Sequence, residues 1–503
     1  MRSRYKRNRQ RNGVFPLKIN ELETKIKSKF KKNPDDLLFS TYEHQETKLA
    51  VFCLSYLVDT NKLESNLLTP LLNNEIAWTH QSIRNDIPLE ERSSTNSMQE
   101  ILNKLILGDV FVYVEGEDSI VSFKLSNVET RGLEKAENET VILGPQIAFT
   151  ESLTTNLNVL RQSIQSTDVV FEKIMVGEHI PREARIVYMK SVTNKTDVNT
   201  MRQRLQELEV NEVEDISVLK QYVEDSSLNI FPQYYLTELP DRVIYAVQKG
   251  KIAVLLDRSP SAFIAPSTFF SFLESTEDLY MRWNVGSILR TLRMIAMFIS
   301  ISITSFYVAI VTYQYELIPA ELLLSLGKSR AEVPFPPIIE ALLIEFLVEL
   351  LREAGARLPT KIGQTIGIVG GIIIGESAVQ AGLASNILII SVAMSALASY
   401  TTPNYLMATT LRLIRFPMII LASIYGIVGI MFGFCFLIIH LLRLTSLGRP
   451  YLSPLYPFQW KDFNKVFFHL PKQFQNKRAY MSQTKQPFLF SRRKATQKKD
   501  IDE

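Results

Sequence analysis

The charged side chains best placed to act on a ligand lie in one apolar stretch, residues 334–359. The stretch reads PFPPIIEALLIEFLVELLREAGARLP and carries Glu340, Glu345, Glu349, Arg352, Glu353 and Arg357. Prolines at its start, with Gly355 and Pro359 at its end, predict one helix between them. At about 100° per residue, one face of that helix is shared by Glu345, Glu349, Arg352 and Glu353. Glu340 points almost the opposite way, into the apolar side.

This helix admits two interpretations. An interfacial helix would keep a solvated acidic face and pair its carboxylates with Arg352 and Arg357. Alternatively, carboxylates near a bilayer face a protein interior or a water-filled path, and a ring of them around an oligomer axis selects cations. We favour Glu345 and Glu349 as residues of such an ion path and Glu340 as a buried contact to a neighbouring subunit. The sequence alone leaves both interpretations open.

A second regular feature follows the helix. Residues 362–375 are uncharged and place a glycine at every fourth position, at Gly363, Gly367, Gly371 and Gly375. On a helix these glycines form one ridge of small residues, which lets another backbone approach closely where lipid supplies no hydrophobic driving force. The spacing predicts a subunit or helix contact along this ridge.

The distribution of charged and apolar residues divides the chain into two parts, and the fold of these parts must position the glutamates and glycines described above. Of 503 residues, 21% are charged and 46% are apolar, but the uncharged runs are concentrated after Met294. Residues 36–280 instead alternate short β-rich segments with amphipathic helical patterns. We therefore predict a soluble α/β region, followed by an all-α multi-span membrane domain at residues 281–448.

The soluble part contains two hairpins that align without gaps. GDVFVYVEGEDSIVSF at residues 108–123 matches GKIAVLLDRSPSAFIA at residues 250–265, with a glycine before each first strand and an acidic residue opening each turn. The match predicts two related α/β subdomains, residues 36–149 and 183–280, joined by a helical linker at residues 150–182.

The membrane domain is predicted to hold four spans, or five if the glutamate-rich helix also crosses. The uncharged runs are residues 294–315, 362–375, 377 to about 401, and 416–439. The first run is preceded by Arg282, Arg290 and Arg293, which by the positive-inside rule places the soluble part on the cytoplasmic side. Basic residues elsewhere in this domain leave the topology beyond the first span open.

Both ends of the chain are basic and polar. Residues 1–35 and 449–503 are therefore predicted to be disordered tails. The N-terminal tail begins MRSRYKRNRQRNG, which lacks the apolar segment of a signal peptide and carries charges suited to anionic lipid headgroups.

The rest of the chain offers little to catalysis. It contains no GxxxxGK[ST] phosphate loop, no HExxH pair and no Cys/His cluster at metal-ligand spacing. The formal net charge is only +4, and no basic stripe with interleaved aromatic residues argues for nucleic acid. Cys53 and Cys435 are the two cysteines, and a structural disulfide is not expected. We predict no enzymatic activity, no metal and no cofactor.

The glutamate-rich stretch and the segments around it resemble the A subunit of GerA-type spore germinant receptors. The stretch continues into IGQTIGIVGGIIIGESAVQAGLAS, and the other matching segments, in family order, are ILGPQIAFTESLTTNLNVLR, FPQYYLTELPDRV and GRPYLSPLYP. Departures lie at Ala136, Leu239 and Arg258, where the family usually has Pro, Arg and Gly.

The resemblance implies a subunit of a nutrient receptor in the spore inner membrane. The implied partners are a transporter-like B subunit that binds the nutrient and a C-subunit lipoprotein. The A subunit is implied to oligomerise and to form the ion-conducting element. Two other classes stay open. One is a secondary permease for a small nutrient, for which four or five spans are few. The other is a structural scaffold that anchors partner subunits in the membrane.

Overall fold

The computed structural model of the chain describes residues 15–29, 36–44, 47–73, 78–89, 92–125, 136, 139, 143–358, 370–371, 375–468, 471 and 474–490. Within these residues, two α/β subdomains are followed by a group of long helices and by a C-terminal segment that returns to the second subdomain. The predicted order of an α/β region and a helical region is confirmed.

The first subdomain is built on a five-stranded antiparallel sheet in the order β1-β2-β4-β5-β3. Its strands are β1 Leu37–His44, β2 Thr47–Leu54, β3 Arg92–Thr95, β4 Asp109–Val114 and β5 Ile120–Lys124. Its helices are α1 Ile19–Lys29, α2 Thr60–Lys62, α3 Thr69–Asn73, α4 His80–Asp86 and α5 Met98–Ile106, with a π-helical turn Leu63–Leu68 between α2 and α3.

Strand β4 shows why this sequence forms a central strand. Phe111 and Tyr113 enter one hydrophobic core, while Val110, Val112 and Val114 enter another. Successive side chains of a strand point to opposite faces, so an uninterrupted β-branched and aromatic run fits a sheet that is covered on both sides.

The second subdomain repeats that arrangement in the order β6-β7-β9-β10-β8. Its strands are β6 Val169–Val176, β7 Arg182–Met189, β8 Tyr235–Thr237, β9 Ile252–Leu256 and β10 Ala262–Ala265. Helix α6 Leu153–Ser163 precedes it, and its own helices are α7 Lys195–Gln206, α8 Ile216–Val223 and α9 Pro240–Gln248. The two sheets share one strand order, in agreement with the repeat that the aligned hairpins predict.

The aligned hairpins also share their backbone conformation at the turn. Gly116 has a φ of +94°, and Arg258, which aligns with it, has a φ of +60°. Glycine adopts this left-handed region freely, whereas a residue with a Cβ is strained there by roughly 1–2 kcal/mol. Arg258 therefore occupies a position whose geometry suits glycine.

We expect Arg258→Gly to raise the free energy of unfolding by about 0.5–1 kcal/mol, because relief of strain exceeds the added freedom of the unfolded chain. The ion pair of Arg258 with Asp257, at 3.9 Å, is exposed and contributes little. Thermal unfolding of the purified protein in detergent measures the change.

The matched control for this substitution is Gly116→Ala. A Cβ on Gly116 would meet no atom within 4 Å, so only backbone strain changes and the unfolding midpoint should fall. An Arg258→Gly protein that unfolds at a lower temperature than the parent would contradict the assignment of strain to this turn.

The predicted linker at residues 150–182 is only partly helical. Helix α6 ends at Ser163, and β6 already begins at Val169. The sequence VVFEKIMV forms a strand because it pairs along its whole length with β7 and buries all of its apolar side chains except Met175. The second subdomain therefore begins before residue 183, and that predicted boundary is wrong.

The prediction that the N-terminal tail is disordered is wrong in part. Residues 19–29, predicted to be disordered, form α1, which buries Ile19, Leu22 and Ile26 against the first subdomain. Their spacing of three and four residues places them on one helical face. Residues 1–14 and 30–35 lie outside the described part of the chain.

The prediction that the C-terminal tail is disordered is also wrong in part, because this segment too buries apolar side chains. It contains strand β12 Arg449–Pro450, paired with β11 Thr445–Ser446, and helix α15 Trp460–Phe467. Tyr451 is fully buried, and its ring lies 6.2 Å from that of Phe272. Buried aromatic residues therefore hold this segment in place, although its charge and proline content predicted disorder.

The helical part contains α10 Trp283–Thr312, α11 Ala320–Ala331, α12 Pro337–Arg357, α13 Asn386–Tyr400 and α14 Tyr405–Arg443. Of the described helices, α10 and α14 are the two that are long and apolar enough to cross a membrane, while α13 is apolar but shorter. Most of the predicted span at residues 362–375 lies outside the described residues. The count of four or five spans stays a prediction.

Helix α14 folds back on itself as a hairpin. Gly426 has a φ of +59° and a ψ of −141°, which is not helical. A Cβ on Gly433 would clash with the side chain of Met418, although a straight helix would hold these two residues about 22 Å apart. The chain therefore reverses at Gly426, and a continuous span over residues 416–439 is wrong. Residues 416–439 are uncharged on both sides of Gly426, so hydropathy gave no sign of the turn.

Close packing and one tyrosine hold the hairpin. Gly429 lies so close to the carbonyl oxygen of Leu421 that a Cβ would clash with it. At the tip, the hydroxyl of Tyr313, just after α10, donates to the carbonyl oxygens of Ser423 and Ile424, at 2.9 and 3.0 Å. The tip of the hairpin therefore lies beside the end of α10, and both ends of α14 lie toward the α/β part.

Candidate functional site: ion pairs between the helices

Helix α12 carries four ion-paired carboxylates, and three of them lie at successive levels between the helices. It begins after Pro336, with Pro337 at its first turn, and ends at Arg357, as predicted. Glu340, Glu345 and Glu349 are five and four residues apart. Glu345 and Glu349 therefore lie one turn apart on the same face, whereas Glu340 points about 140° away from Glu345, and the three carboxylates meet different neighbours.

The first level joins α12 to α11 and α13. One carboxylate oxygen of Glu340 lies 3.2 Å from Arg330 Nη1, and the other accepts a 2.6 Å hydrogen bond from the backbone N–H of Ser385. The Ser385 hydroxyl lies 2.6 Å from that of Tyr307 on α10. Glu340 is 1% exposed and is buried within its own chain. Its predicted contact with a neighbouring subunit stays a prediction.

The second level joins four helices. Arg415 Nη1 of α14 lies 2.5 Å from Glu345, whose other oxygen accepts a 2.7 Å hydrogen bond from the Thr304 hydroxyl of α10. Arg415 also donates to the carbonyl oxygens of Ser300 and Ser395, at 2.9 and 3.4 Å. Glu345 and Arg415 are each 2% exposed. The ion pair is fully buried, and the other nitrogen atoms of Arg415 also donate hydrogen bonds.

The third level lies nearest the α/β part and is partly open. Glu349 pairs with Arg412 of α14 at 3.1 Å and with Arg352 at 3.3 Å. Arg352 also lies 4.6 Å above the ring of Tyr400 and donates to its hydroxyl. The Glu349 side chain is 36% exposed, so of the two ion-path candidates it is the one that solvent reaches.

The interpretation of α12 as an interfacial helix with a solvated acidic face is wrong for Glu345. That face is covered by α10, α13 and α14, which supply its partners. The last pair, Glu353 with Arg357 at 2.6 Å, is the most solvated, with side chains 61% and 79% exposed. Buried charges in an apolar setting are costly and are retained where they orient helices or serve a polar path.

A cavity of about 960 Å³ separates the third level from the second subdomain. Arg352 and Arg412 line it from the helices, while Arg242 and Glu277 line it from the α/β part. A space of this size holds many water molecules. Both arginine partners of Glu349 therefore line a large, solvated cavity.

The structure describes only part of the glycine ridge. Gly363 and Gly367 lie outside the described residues. A Cβ on Gly371 would meet nothing within 4 Å, and one on Gly375 would come no closer than 3.9 Å to Ile389. Within one chain, neither described glycine is in tight contact, and the role of the ridge stays a prediction.

Asp225 anchors the end of α14 to the second subdomain. Its carboxylate accepts hydrogen bonds from the Thr445 hydroxyl at 2.5 Å and from the N–H groups of Leu447 and Gly448 at 3.1 and 2.8 Å. Arg204 of α7 lies 2.6 Å away. Burial alone would raise the pKa of Asp225, but the Thr445 and Gly448 hydrogen bonds outweigh it, and the pKa is lowered.

Two more contacts extend this anchor. Arg449 pairs with Asp197 of α7 at 2.7 Å, and both are buried. The Tyr451 hydroxyl donates a 2.7 Å hydrogen bond to the carbonyl oxygen of Pro232. The segment after α14 is thus fixed to the same subdomain that leads into α10.

Sequence reasoning missed the partners of the carboxylates. Arg412 and Arg415 are among the basic residues that leave the predicted topology open, and no motif in the sequence marks Arg330. A usable signal was present: two arginines three residues apart in one apolar run complement two glutamates four residues apart in another. Among the described residues, no group of His, Cys, Asp and Glu has the geometry of a metal site.

Comparison with known proteins agrees with the motif resemblance. The family model described as Bacillus/Clostridium GerA spore germination protein matches residues 24–481. Spore germination protein GerQA of Bacillus cereus is 39% identical over 461 residues, covering 92% of either chain. Spore germination protein KA of Bacillus subtilis (strain 168) is 34% identical over 433 residues, covering 85% of this chain and 80% of that one.

A solved structure also matches the chain. It is the crystal structure of the N-terminal domain of the A subunit of the Bacillus megaterium spore germinant receptor GerK3. This match is 24% identical, covers 51% of this chain and 97% of that chain, and has a TM-score of 0.40.

The chain is therefore a two-subdomain α/β protein with an apolar helical part, and it belongs to the GerA family of spore germination proteins. The relatives named above are spore germination proteins, which supports a role in germinant reception.

Proposed function

We propose that the protein is the A-type subunit of a nutrient germinant receptor in the spore inner membrane. In this proposal identical subunits assemble around a cation path that opens when a transporter-like B subunit binds nutrient, with a C-subunit lipoprotein as the third partner. The α/β part lies on the cytoplasmic side, and the helical part crosses the membrane several times. Family membership supports the receptor role.

The observation that carries the ion path is the row of carboxylates on α12. Polar groups inside an apolar helical assembly mark ion or substrate pathways. Glu349 is partly exposed beside the large cavity, whereas Glu345 is held by Arg415. We propose that Glu349 faces the path in the resting subunit and that Glu345 joins it when Arg415 moves away.

Assembly into an oligomer is supported by surfaces that the single chain leaves open. Ile339, Phe346 and Leu350 are exposed along one side of α12. The Cβ position of Gly371 is also open. Lipid or a neighbouring subunit must cover this side, and a small-residue ridge favours a helix of a neighbour.

The test is cation-over-anion selectivity under a salt gradient, measured in liposomes that contain the protein together with its partner subunits and the nutrient. Removing one carboxylate charge at about 4 Å from a hydrated cation is worth about 1 kcal/mol, or about fivefold in local cation concentration. We therefore expect Glu349→Gln to lower selectivity by about fivefold. Glu345→Gln should lower it in the open state, and Glu340→Gln should leave it unchanged.

The outcomes separate the classes of protein. Loss of selectivity in Glu340→Gln alone would show that the two faces of α12 are assigned backwards. Saturable nutrient uptake without conductance would favour a secondary permease. If neither conductance nor uptake is measured in the presence of partner subunits, the protein is a scaffold.

A further inference from the structure

A smaller cavity borders the large one, and Tyr235, Arg242, Ser275 and Thr276 line both. Its volume is about 180 Å³, and it is enclosed by α9, residues 267–279, the start of α10 and the C-terminal segment. An apolar cavity of about 150 Å³ is known to hold a benzene molecule, so this one is the size of a small metabolite or a phosphate with its waters.

The walls of this cavity carry more positive than negative charge. Five cationic side chains line it, namely Arg242, Lys249, Lys251, Arg290 and Lys477. Three acidic ones line it, namely Glu274, Asp278 and Asp462. A compact space with a cationic excess attracts a small anion.

The acidic side chains already have partners, and Arg290 of the cavity wall pairs with two of them, Glu274 and Asp278. Asp278 lies 2.8 Å from Arg293 of α10, outside the cavity wall. Glu274 lies 3.4 Å from Arg290. Asp462 accepts a 2.5 Å hydrogen bond from the backbone N–H of Tyr480. Glu274 also attracts Lys249 and Lys251 electrostatically, but among the described residues it forms no ion pair with either lysine.

Lys249 and Lys251 have only weak partners. The ammonium of Lys249 lies 4.0 Å above the ring of Tyr245, and that of Lys251 donates a 3.4 Å hydrogen bond to the Ser271 hydroxyl. Neither forms an ion pair within the described part of the chain. Burial lowers the pKa of Lys251 to about 8, so a bound anion would stabilise its charged form.

The C-terminal segment closes the cavity through backbone contacts. The N–H of Lys485 donates to the carbonyl oxygen of Val192 at 2.9 Å, and Arg478 donates to that of Gln248 at 2.9 Å. Thr484 lies where a side chain on Gly250 would stand. The segment thus forms one wall of the cavity.

We propose that this cavity binds a small oxyanion, a phosphate or a carboxylate, between Lys249 and Lys251. The site belongs to this subunit and is separate from the row of ion pairs, so it does not depend on the proposed ion path. Because the C-terminal segment forms a wall, a bound anion also strengthens the docking of that segment on the second subdomain.

The test uses the full-length protein purified in detergent. Binding of inorganic phosphate and of malonate is measured by isothermal titration calorimetry and by the shift in thermal unfolding, with sodium chloride at matched ionic strength as the reference. We expect saturable binding of at least one anion. Lys249→Met and Lys251→Met should each weaken it by about tenfold or more, because each removes a charge-assisted hydrogen bond.

Two further variants keep the result interpretable. Lys195→Met changes an exposed lysine of the same subdomain and should leave binding unchanged. Lys251→Arg keeps the charge and should retain binding, which separates loss of charge from loss of packing. Binding of phosphate alone or of malonate alone supports the site and identifies the class of anion. Saturable binding of neither anion, or equal affinity in Lys249→Met, Lys251→Met and the parent, overturns it.

Discussion

Replacing Arg415 by leucine is expected to lower the free energy of unfolding by about 3–5 kcal/mol, because it leaves the carboxylate of Glu345 buried without its cation. Glu345 is 2% exposed and would keep only the hydrogen bond from Thr304. The purified protein in detergent should unfold at a clearly lower temperature, and less of it should accumulate in membranes.

The double variant decides whether the loss comes from the unpaired charge. Glu345→Leu combined with Arg415→Leu replaces the pair by apolar side chains and should recover more than half of the lost stability, because buried pairs are often no better than apolar substitutes. Arg357→Leu, at the solvated pair, should change stability by less than about 1 kcal/mol. A double variant as unstable as Arg415→Leu would show that Arg415 acts through packing.

Replacing Gly429 by alanine is expected to be about as damaging, at about 3 kcal/mol. The added Cβ would clash with the Leu421 carbonyl oxygen, and backbone atoms cannot rotate away as a side chain can. The two arms of α14 must therefore separate along their length. The thermal unfolding midpoint in detergent and the yield of folded protein report the loss.

Gly433→Ala is the matched control in the same hairpin. Its Cβ would meet the flexible end of Met418, which can adopt another rotamer, so the cost should stay below about 1 kcal/mol. Gly355→Ala, at an open position of α12, should be neutral or slightly stabilising. Equal losses in Gly429→Ala and Gly433→Ala would contradict the close contact at Leu421.

The local elements of the α/β part could be predicted from sequence because their signals are local. Strand β4 and the hairpin of β9 and β10 carry continuous β-rich runs bounded by turn residues. The edge strands β3 and β8 are only four and three residues long and carry polar residues, so their pairing depends on a neighbour that is distant in sequence. The repeat of the hairpins was the better guide, because it applies to the whole arrangement.

The site was predictable in its carboxylates but not in its geometry. The pattern of α12 places Glu340 opposite to Glu349, and the structure confirms different neighbours for each. The burial of Glu345 could not be predicted, because the residue pattern of α12 does not indicate which other helices pack against Glu345. The reversal of α14 at Gly426 was hidden for a related reason: lipid and a second helix are equally apolar, so hydropathy does not distinguish them.

Because of the anchor at Asp225, the helical part is attached to the second subdomain at both of its ends. The second subdomain leads directly into α10. It also binds the chain just after α14, through Asp225, Asp197 and Pro232. A rigid body held at two points of a helical assembly transmits rotation as well as translation. Any tilt of α10 relative to the second arm of α14 must therefore turn this subdomain. The first subdomain is attached to the second by the buried pair of Asp36 and Arg185, at 2.6 Å, and is expected to move with it.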